Sequence, residues 1–180
     1  MPAYHITGPS GSGKSTVGQV LQKRGFRVIE ADSEPGVSGW VHGETSEKIT
    51  QTPPQPFPED WVAAHRWLWD EAKIQELIAA SGDKPIFFVG GAHNEKDTYH
   101  LFEKRFGLFI DDATLVKRLQ AREPQRWANG SPELKKMLDW NTRSKSFNEA
   151  HGAISIDGSQ SPEAIADSIL NYVGSDKISS

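Results

Sequence analysis

Cysteine is absent from the 180 residues, which excludes disulfides, zinc–thiolate centres and thiol catalysis together. Positive charge is in deficit: 20 Lys and Arg stand against 24 Asp and Glu, a net charge of −4, whereas a chain whose main partner is nucleic acid usually carries a basic excess. Any positive field must therefore be local. No apolar run approaches the roughly 18 residues of a membrane-crossing helix. The first residues form a β-like segment that runs into a glycine-rich loop, without the basic and apolar regions of a secretory leader. These absences point to a cytoplasmic protein with neither a nucleic-acid nor a membrane partner. A hydrophobic content of 36% over this length suffices for one core, so residues 1–180 are expected to form a single domain.

Strands and helices alternate along the chain. Ala3 to Thr7, Phe26 to Ala31, Pro85 to Val89, Phe106 to Ile110 and Ala153 to Ile156 read as five strands, the third a continuous apolar run of the kind found mid-sheet. Helices are predicted over Lys14 to Arg24, Pro58 to Ser81, Asp97 to Lys104, Ala113 to Ala121, Glu133 to about Glu149, and Pro162 to Val173. The long second helix rests on Trp61, His65, Leu68, Ala72 and Leu77 at broadly helical spacing. This alternation predicts a three-layer α/β fold with a five-stranded parallel sheet. Two excursions interrupt it. One, about residues 33–60, is rich in Gly and Pro and is expected to be irregular; the other spans about 122–142. Residues after Gly174 are expected to fray.

The loop Gly8-Pro9-Ser10-Gly11-Ser12-Gly13-Lys14-Ser15 satisfies G-x-x-x-x-G-K-[ST] and lies between the first strand and first helix, where a phosphate-binding loop must lie. Its glycines let successive backbone N–H groups turn inward, and the helix N-terminus adds its dipole; both favour a polyanion. This predicts ATP, with Mg²⁺, as ligand: Gly8, Ser10, Gly11, Ser12 and Gly13 around the phosphates, Lys14 on the β- and γ-phosphates, Ser15 on the metal and Thr16 as a further phosphate contact. No Asn-Lys-x-Asp guanine-reading motif is present, which leaves adenine as the expected base.

Asp32 stands just beyond the second strand, at the carboxyl edge where doubly wound sheets keep their ligands. A carboxylate there can take the proton of an attacking hydroxyl or bind magnesium through water, although Ser33-Glu34-Pro35-Gly36 also makes it a natural turn residue. Gly90 and Gly91, after the third strand, permit close substrate approach, and His93 or Asn94 could hydrogen-bond it. Arg66 is a candidate grip on an acceptor carboxylate or phosphate, and Trp40 a candidate stacking platform, although most of the six tryptophans must be packing residues.

The loop, the short βα units, the acid after the second strand and a late arginine-rich excursion together resemble the P-loop nucleoside monophosphate kinase-like family, which includes adenylate, shikimate and gluconate kinases. The resemblance implies an ATP-dependent phosphotransferase acting on a small-molecule acceptor, a nucleoside or nucleotide first, a shikimate- or gluconate-type metabolite second. It implies that Leu115 to Arg122 is the helix leading into a lid, with Arg118, Arg122 and Arg126 on the phosphates and Arg143 near the acceptor. Lys14, Asp32, Arg118 and Arg122 would then be the catalytic set, and Asp157-Gly158 the loop beside adenine, a place where an ordinary strand-to-helix turn would use the same residues. The sequence departs from the wider P-loop pattern in one respect: Phe88-Val89-Gly90-Gly91 carries no Walker B aspartate, which shifts the weight of metal binding onto Asp32. A nucleotide-driven switch without an acceptor is the alternative of a different class.

Overall fold

The computed structural model describes residues 2–50 and 58–174. The proline-rich run at 51–57 and the tail after Gly174 lie outside them. Five strands, β1 (Ala3–Thr7), β2 (Arg27–Glu30), β5 (Ile86–Val89), β6 (Lys104–Phe109) and β7 (Ile154–Asp157), form one parallel sheet in the order β2-β5-β1-β6-β7. The expected α/β architecture with a five-stranded parallel sheet is therefore observed. Registry is set by apolar pairs such as Ile6 with Val89 and Phe106 with Ile154. Central strands β1 and β5 are buried along their whole length, as a parallel sheet covered on both faces requires.

Helices α1 (Lys14–Lys23) and α6 (Pro162–Gly174) cover one face, where Val17, Leu21, Ile165 and Ile169 pack against Tyr4, Ile6, Phe87 and Phe106. On the other face α3 (Glu71–Ala79) supplies Ile74 and Leu77, which pack with Ile29, Ile86, Phe88 and Phe102. A third cluster joins α4 (Asp112–Arg122) and α5 (Pro132–Ala150) through Leu115, Leu119, Trp127 and Leu134. Side-chain caps fix where these helices begin: Asp70 accepts from the Lys73 amide, Asp111 from the Thr114 amide, and Ser131 from the Leu134 amide. No helix among the described residues is long and apolar enough to cross a membrane.

The structure corrects the sequence reading around the first excursion. No long helix runs from Pro58 to Ser81; α2 (Glu59–Ala64) is short, and the chain then extends as β4 (His65–Trp69) before α3. Strand β4 pairs antiparallel with β3 (Ser38–His42), in a stretch expected to be irregular, with Trp40 opposite Trp67 and Val41 opposite Arg66. Of the aromatic residues that gave the helical spacing, Trp61 does lie in α2, its ring against Trp40, whereas His65 opens β4 and meets His42 across the hairpin. Asp70, the cap of α3, marks the true helix start. The segment after β5 is a 3₁₀ helix, Glu95–Leu101, which begins and ends slightly earlier than the helix expected around Asp97 to Lys104.

Candidate active site

The β1 strand lies between β5 and β6, and the chain leaves β1 toward β2 but β6 toward β7, in opposite directions along the sheet, which opens a crevice at the carboxyl ends. A cleft of about 1080 Å³ occupies it. At the floor is the glycine-rich loop. Gly8, Gly11 and Gly13 adopt φ of 143°, 86° and 103°, so the tight curl depends on residues without a Cβ. A Cβ on Gly8 would also sit 2.6 Å from the Leu108 carbonyl oxygen. The first-turn amides of α1 have no intrahelical acceptors and no acidic residue lies in that turn, leaving an uncompensated positive helix end.

Lys14 is half-buried and folds back over the loop, donating from Nζ to the carbonyls of Gly8 (2.7 Å) and Pro9 (3.0 Å). Burial lowers its pKa from 10.5 to about 8, against the pull of the Asp32, Glu30 and Glu95 carboxylates, which favour the charged form. Ser15 donates its hydroxyl to Glu30 Oε2 (3.0 Å). Burial, reinforced by the charge on Asp32, pushes the Glu30 carboxyl up despite that hydrogen bond. Asp32 is exposed to the cleft and accepts at Oδ1 from the Trp67 indole N–H (3.1 Å).

Two carboxylates were not singled out in the sequence. Glu30 ends β2 and is bonded to the loop serine; its signal was its place two residues before Asp32, on the same side of the strand edge. Glu95 is buried, accepts from Tyr99 Oη (2.9 Å) and from Thr7 Oγ1 (3.4 Å), and borders the cleft beside Gly91. A Cβ on Gly91 would lie 3.3 Å from Glu95 Oε2, so the glycine leaves room for this carboxylate. Glu95 thus stands above β1 and β5 although the third parallel strand itself ends without an acid. Nothing in the local sequence announces it, because it arrives at the start of the 3₁₀ helix, six residues beyond the end of that strand.

The arginines enter from the β6 side. Arg118 Nη1 donates to the carbonyls of Gly11 (3.4 Å), Ser12 (3.3 Å) and Gly158 (3.0 Å), tying the loop to the turn after β7. Arg122 Nη2 donates to Ser10 Oγ (3.0 Å), and Arg126 lies over the Trp127 ring. Gly158 approaches the loop so closely that a Cβ would sit 2.8 Å from the Ser12 carbonyl oxygen.

Of the residues singled out in the sequence, Gly8, Ser10, Gly11, Gly13, Lys14, Ser15, Thr16, Asp32, Trp40, Gly90, Gly91, His93, Arg118, Arg122, Arg126 and Gly158 border this one cleft. Ser12, Arg66, Asn94, Arg143 and Asp157 do not. Ser12 is buried beneath the loop, where its carbonyl serves Arg118. Asp157 turns to the Ser159 amide and hydroxyl, interactions that lower its pKa, and so serves the ordinary turn. Arg66 is exposed on the far face of β4, and Arg143 is exposed on α5, bonded to the Asp139 carbonyl. His93 and Asn94 are committed to the hairpin backbone: Trp67 N–H donates to His93 Nδ1 (3.1 Å), and Asn94 bonds both the N–H and the carbonyl of Trp69. They hold β4 against the sheet edge.

A family described as an AAA domain matches residues 5–136. No curated protein matches the chain. Among solved structures, a shikimate kinase from Acinetobacter baumannii in complex with shikimate superposes with a TM-score of 0.61 at 18% identity, over 98% of this chain and 95% of that one. A deoxyadenosine kinase from M. mycoides gives 0.53 at 14% identity, over 96% and 99%. A gluconokinase from Sinorhizobium meliloti gives 0.50 at 19% identity, over 92% and 87%. With the match spanning most of its length and the sheet, loop and cleft arranged as described, the chain belongs to the AAA domain family and has the fold of the P-loop nucleoside monophosphate kinase-like proteins.

Proposed function

We propose that the protein is an ATP-dependent phosphotransferase that moves the γ-phosphoryl group of Mg·ATP to a hydroxyl of a small-molecule acceptor. The observation that carries this reading is the shared cleft: Lys14 and the phosphate loop face Asp32 within it, and the cleft continues past Asp32 into a pocket under the β3–β4 hairpin. A binder of nucleotide alone needs no such second compartment with a carboxylate at its entrance. The residues present fit a polyphosphate, since the loop combines the positive end of α1, glycines at positive φ and a partly buried ammonium.

Magnesium suits the hydroxyl of Ser15 with Glu30 and Asp32, directly or through water, and would neutralise charge on the phosphate oxygens. Among the described residues no group of three His, Cys, Asp or Glu side chains could hold a metal, in keeping with an ion bound largely through phosphate and water. Lys14 holds the β- and γ-phosphate oxygens, Arg122 and Arg126 face the same charge from the β6 side, and Arg118 positions the loop. The acceptor oxygen bonds the γ-phosphorus as the bond to the β–γ bridging oxygen breaks and its electron pair leaves on ADP. The hydroxyl proton passes to Asp32, which the Trp67 indole keeps oriented. The hairpin over the acceptor and the segment between α4 and α5 over the nucleotide would exclude water.

The test is ADP production from Mg·ATP by the purified protein, alone and with nucleosides, nucleoside monophosphates, shikimate and gluconate, beside Lys14→Ala and Asp32→Asn variants. Acceptor-stimulated turnover lost in both variants is expected. Acceptor-independent hydrolysis that survives Asp32→Asn would instead make the protein an ATPase.

A further inference from the structure

The cleft is divided by charge, and the division follows the sheet topology. Arg118, Arg122 and Arg126 reach it from the chain after β6, on one side of β1. On the opposite side, the ends of β2 and β5 bring Glu30, Asp32 and Glu95, and the hairpin brings the indoles of Trp40 and Trp67. These two residues are direct cross-strand partners, with ring centroids 5.3 Å apart and planes tilted by 59°. Side chains alternate across a strand, so Arg66 and Val41, the adjacent pair, take the other face of the hairpin. The one arginine of β4 is thereby turned away from the acceptor pocket.

Other cations do not replace it among the described residues. Lys96 and Lys136 border the cleft, but the Lys96 ammonium lies 4.7 Å from the ring centroid of Phe147 on α5, and Lys136 belongs to α5 itself, the helix that packs on β6 and β7. Lys48 pairs with Asp70 outside the cleft. The run at 51–57, Gln-Thr-Pro-Pro-Gln-Pro-Phe, contains no charged residue and so adds no cation by composition. His93 borders the cleft, but its Nδ1 is committed to the Trp67 backbone N–H.

Resting on the phosphotransferase reading, we infer that the acceptor is a hydroxyl-bearing ring compound without an anionic group, which lies against Trp40 and Trp67 with its hydroxyl toward Asp32. An indole surface rewards a flat, weakly solvated ring, or a protonated amine placed over its face. A carboxylate or phosphate in the same position would face carboxylates with no guanidinium to balance it, which penalises binding. Neutral nucleosides and amino-substituted sugars meet these terms; nucleoside monophosphates, shikimate and gluconate do not.

The experiment compares acceptors in pairs that differ in charge: adenosine against AMP, cytidine against CMP, and glucosamine against gluconate, with shikimate added. ADP production is measured alongside ATP binding by equilibrium dialysis. The expected result is stimulation by uncharged or cationic acceptors at least tenfold greater in kcat/KM than by their anionic counterparts. Trp40→Leu should raise the acceptor KM about tenfold and leave that of ATP within twofold, as loss of a stacking surface implies. Arg66→Ala should change neither KM by more than about twofold, because its guanidinium faces away. A preference for any anionic acceptor, or an Arg66→Ala variant that loses acceptor affinity, overturns this inference and leaves the phosphotransferase reading standing. ATP binding without stimulation by any acceptor overturns both.

Discussion

Nucleotide binding should draw a proton from solution near pH 8, and Lys14 is the reason. Burial holds its ammonium at a pKa of about 8, while bound polyphosphate would surround it with negative charge and restore the charged form. At pH 8 about half of the free protein carries a neutral Lys14, so binding should take up about half a proton; at pH 7 the uptake falls to about a tenth. If only the charged form binds tightly, affinity should drop about fivefold between pH 8 and pH 9. Isothermal titration of ATP at pH 8 in buffers of differing ionisation enthalpy measures the uptake directly. Lys14→Arg is the control, since a guanidinium stays charged throughout this range. The sign for stability runs the other way: the unfolded chain holds the Lys14 proton up to pH 10.5 while the folded protein releases it from about 8. Wild type should therefore gain stability relative to Lys14→Met as pH rises between those values, before nucleotide is added. Tight ATP binding at pH 8 with no proton uptake would refute this account of the buried ammonium.

Other expectations follow from single contacts. Gly158→Ala places a Cβ 2.8 Å from the Ser12 carbonyl, so the turn after β7 must shift off the phosphate loop; ATP affinity by titration should fall about tenfold or more, with a modest drop in melting temperature. Arg118→Met removes three donations that brace the loop to that same turn, and should raise KM for ATP more than it lowers kcat if its role is positioning. Trp67→Phe keeps a ring but removes the indole donor to Asp32, worth about 1.5–3 kcal/mol for a hydrogen bond to a charged group, and should lower kcat by about tenfold or more while ATP binding is retained. Phe88→Ala opens a cavity at a fully buried site on β5 and should cost about 3–5 kcal/mol in urea unfolding.

The parallel sheet was legible in the sequence because its strands are short apolar runs separated by helices with one apolar face, a pattern set by local residue order. The phosphate loop was legible for a similar reason: its glycines, lysine and serine are contiguous, and the chemistry lies in backbone curvature that those residues alone permit. The stretch from His65 to Trp69 was misread because aromatic residues at i and i+4, such as Trp61 and His65, satisfy a helical period as well as they furnish a hairpin, and the choice between them fell to Trp40, twenty-seven residues before Trp67. Asp70 was the local clue, a cap that places the start of α3 after the strand.

What the sequence alone determined was the fold class and the glycine-rich loop at the floor of the cleft, since both depend on neighbours along the chain. Only the tertiary structure decided which charges meet in the cleft. It turned Arg66 outward by strand alternation, brought Glu95 over β1 from the 3₁₀ helix that follows another strand, and assigned Arg118 to the loop carbonyls. Those outcomes depend on which strands lie side by side and which face each residue takes, and a one-residue change of register would reverse them without altering composition.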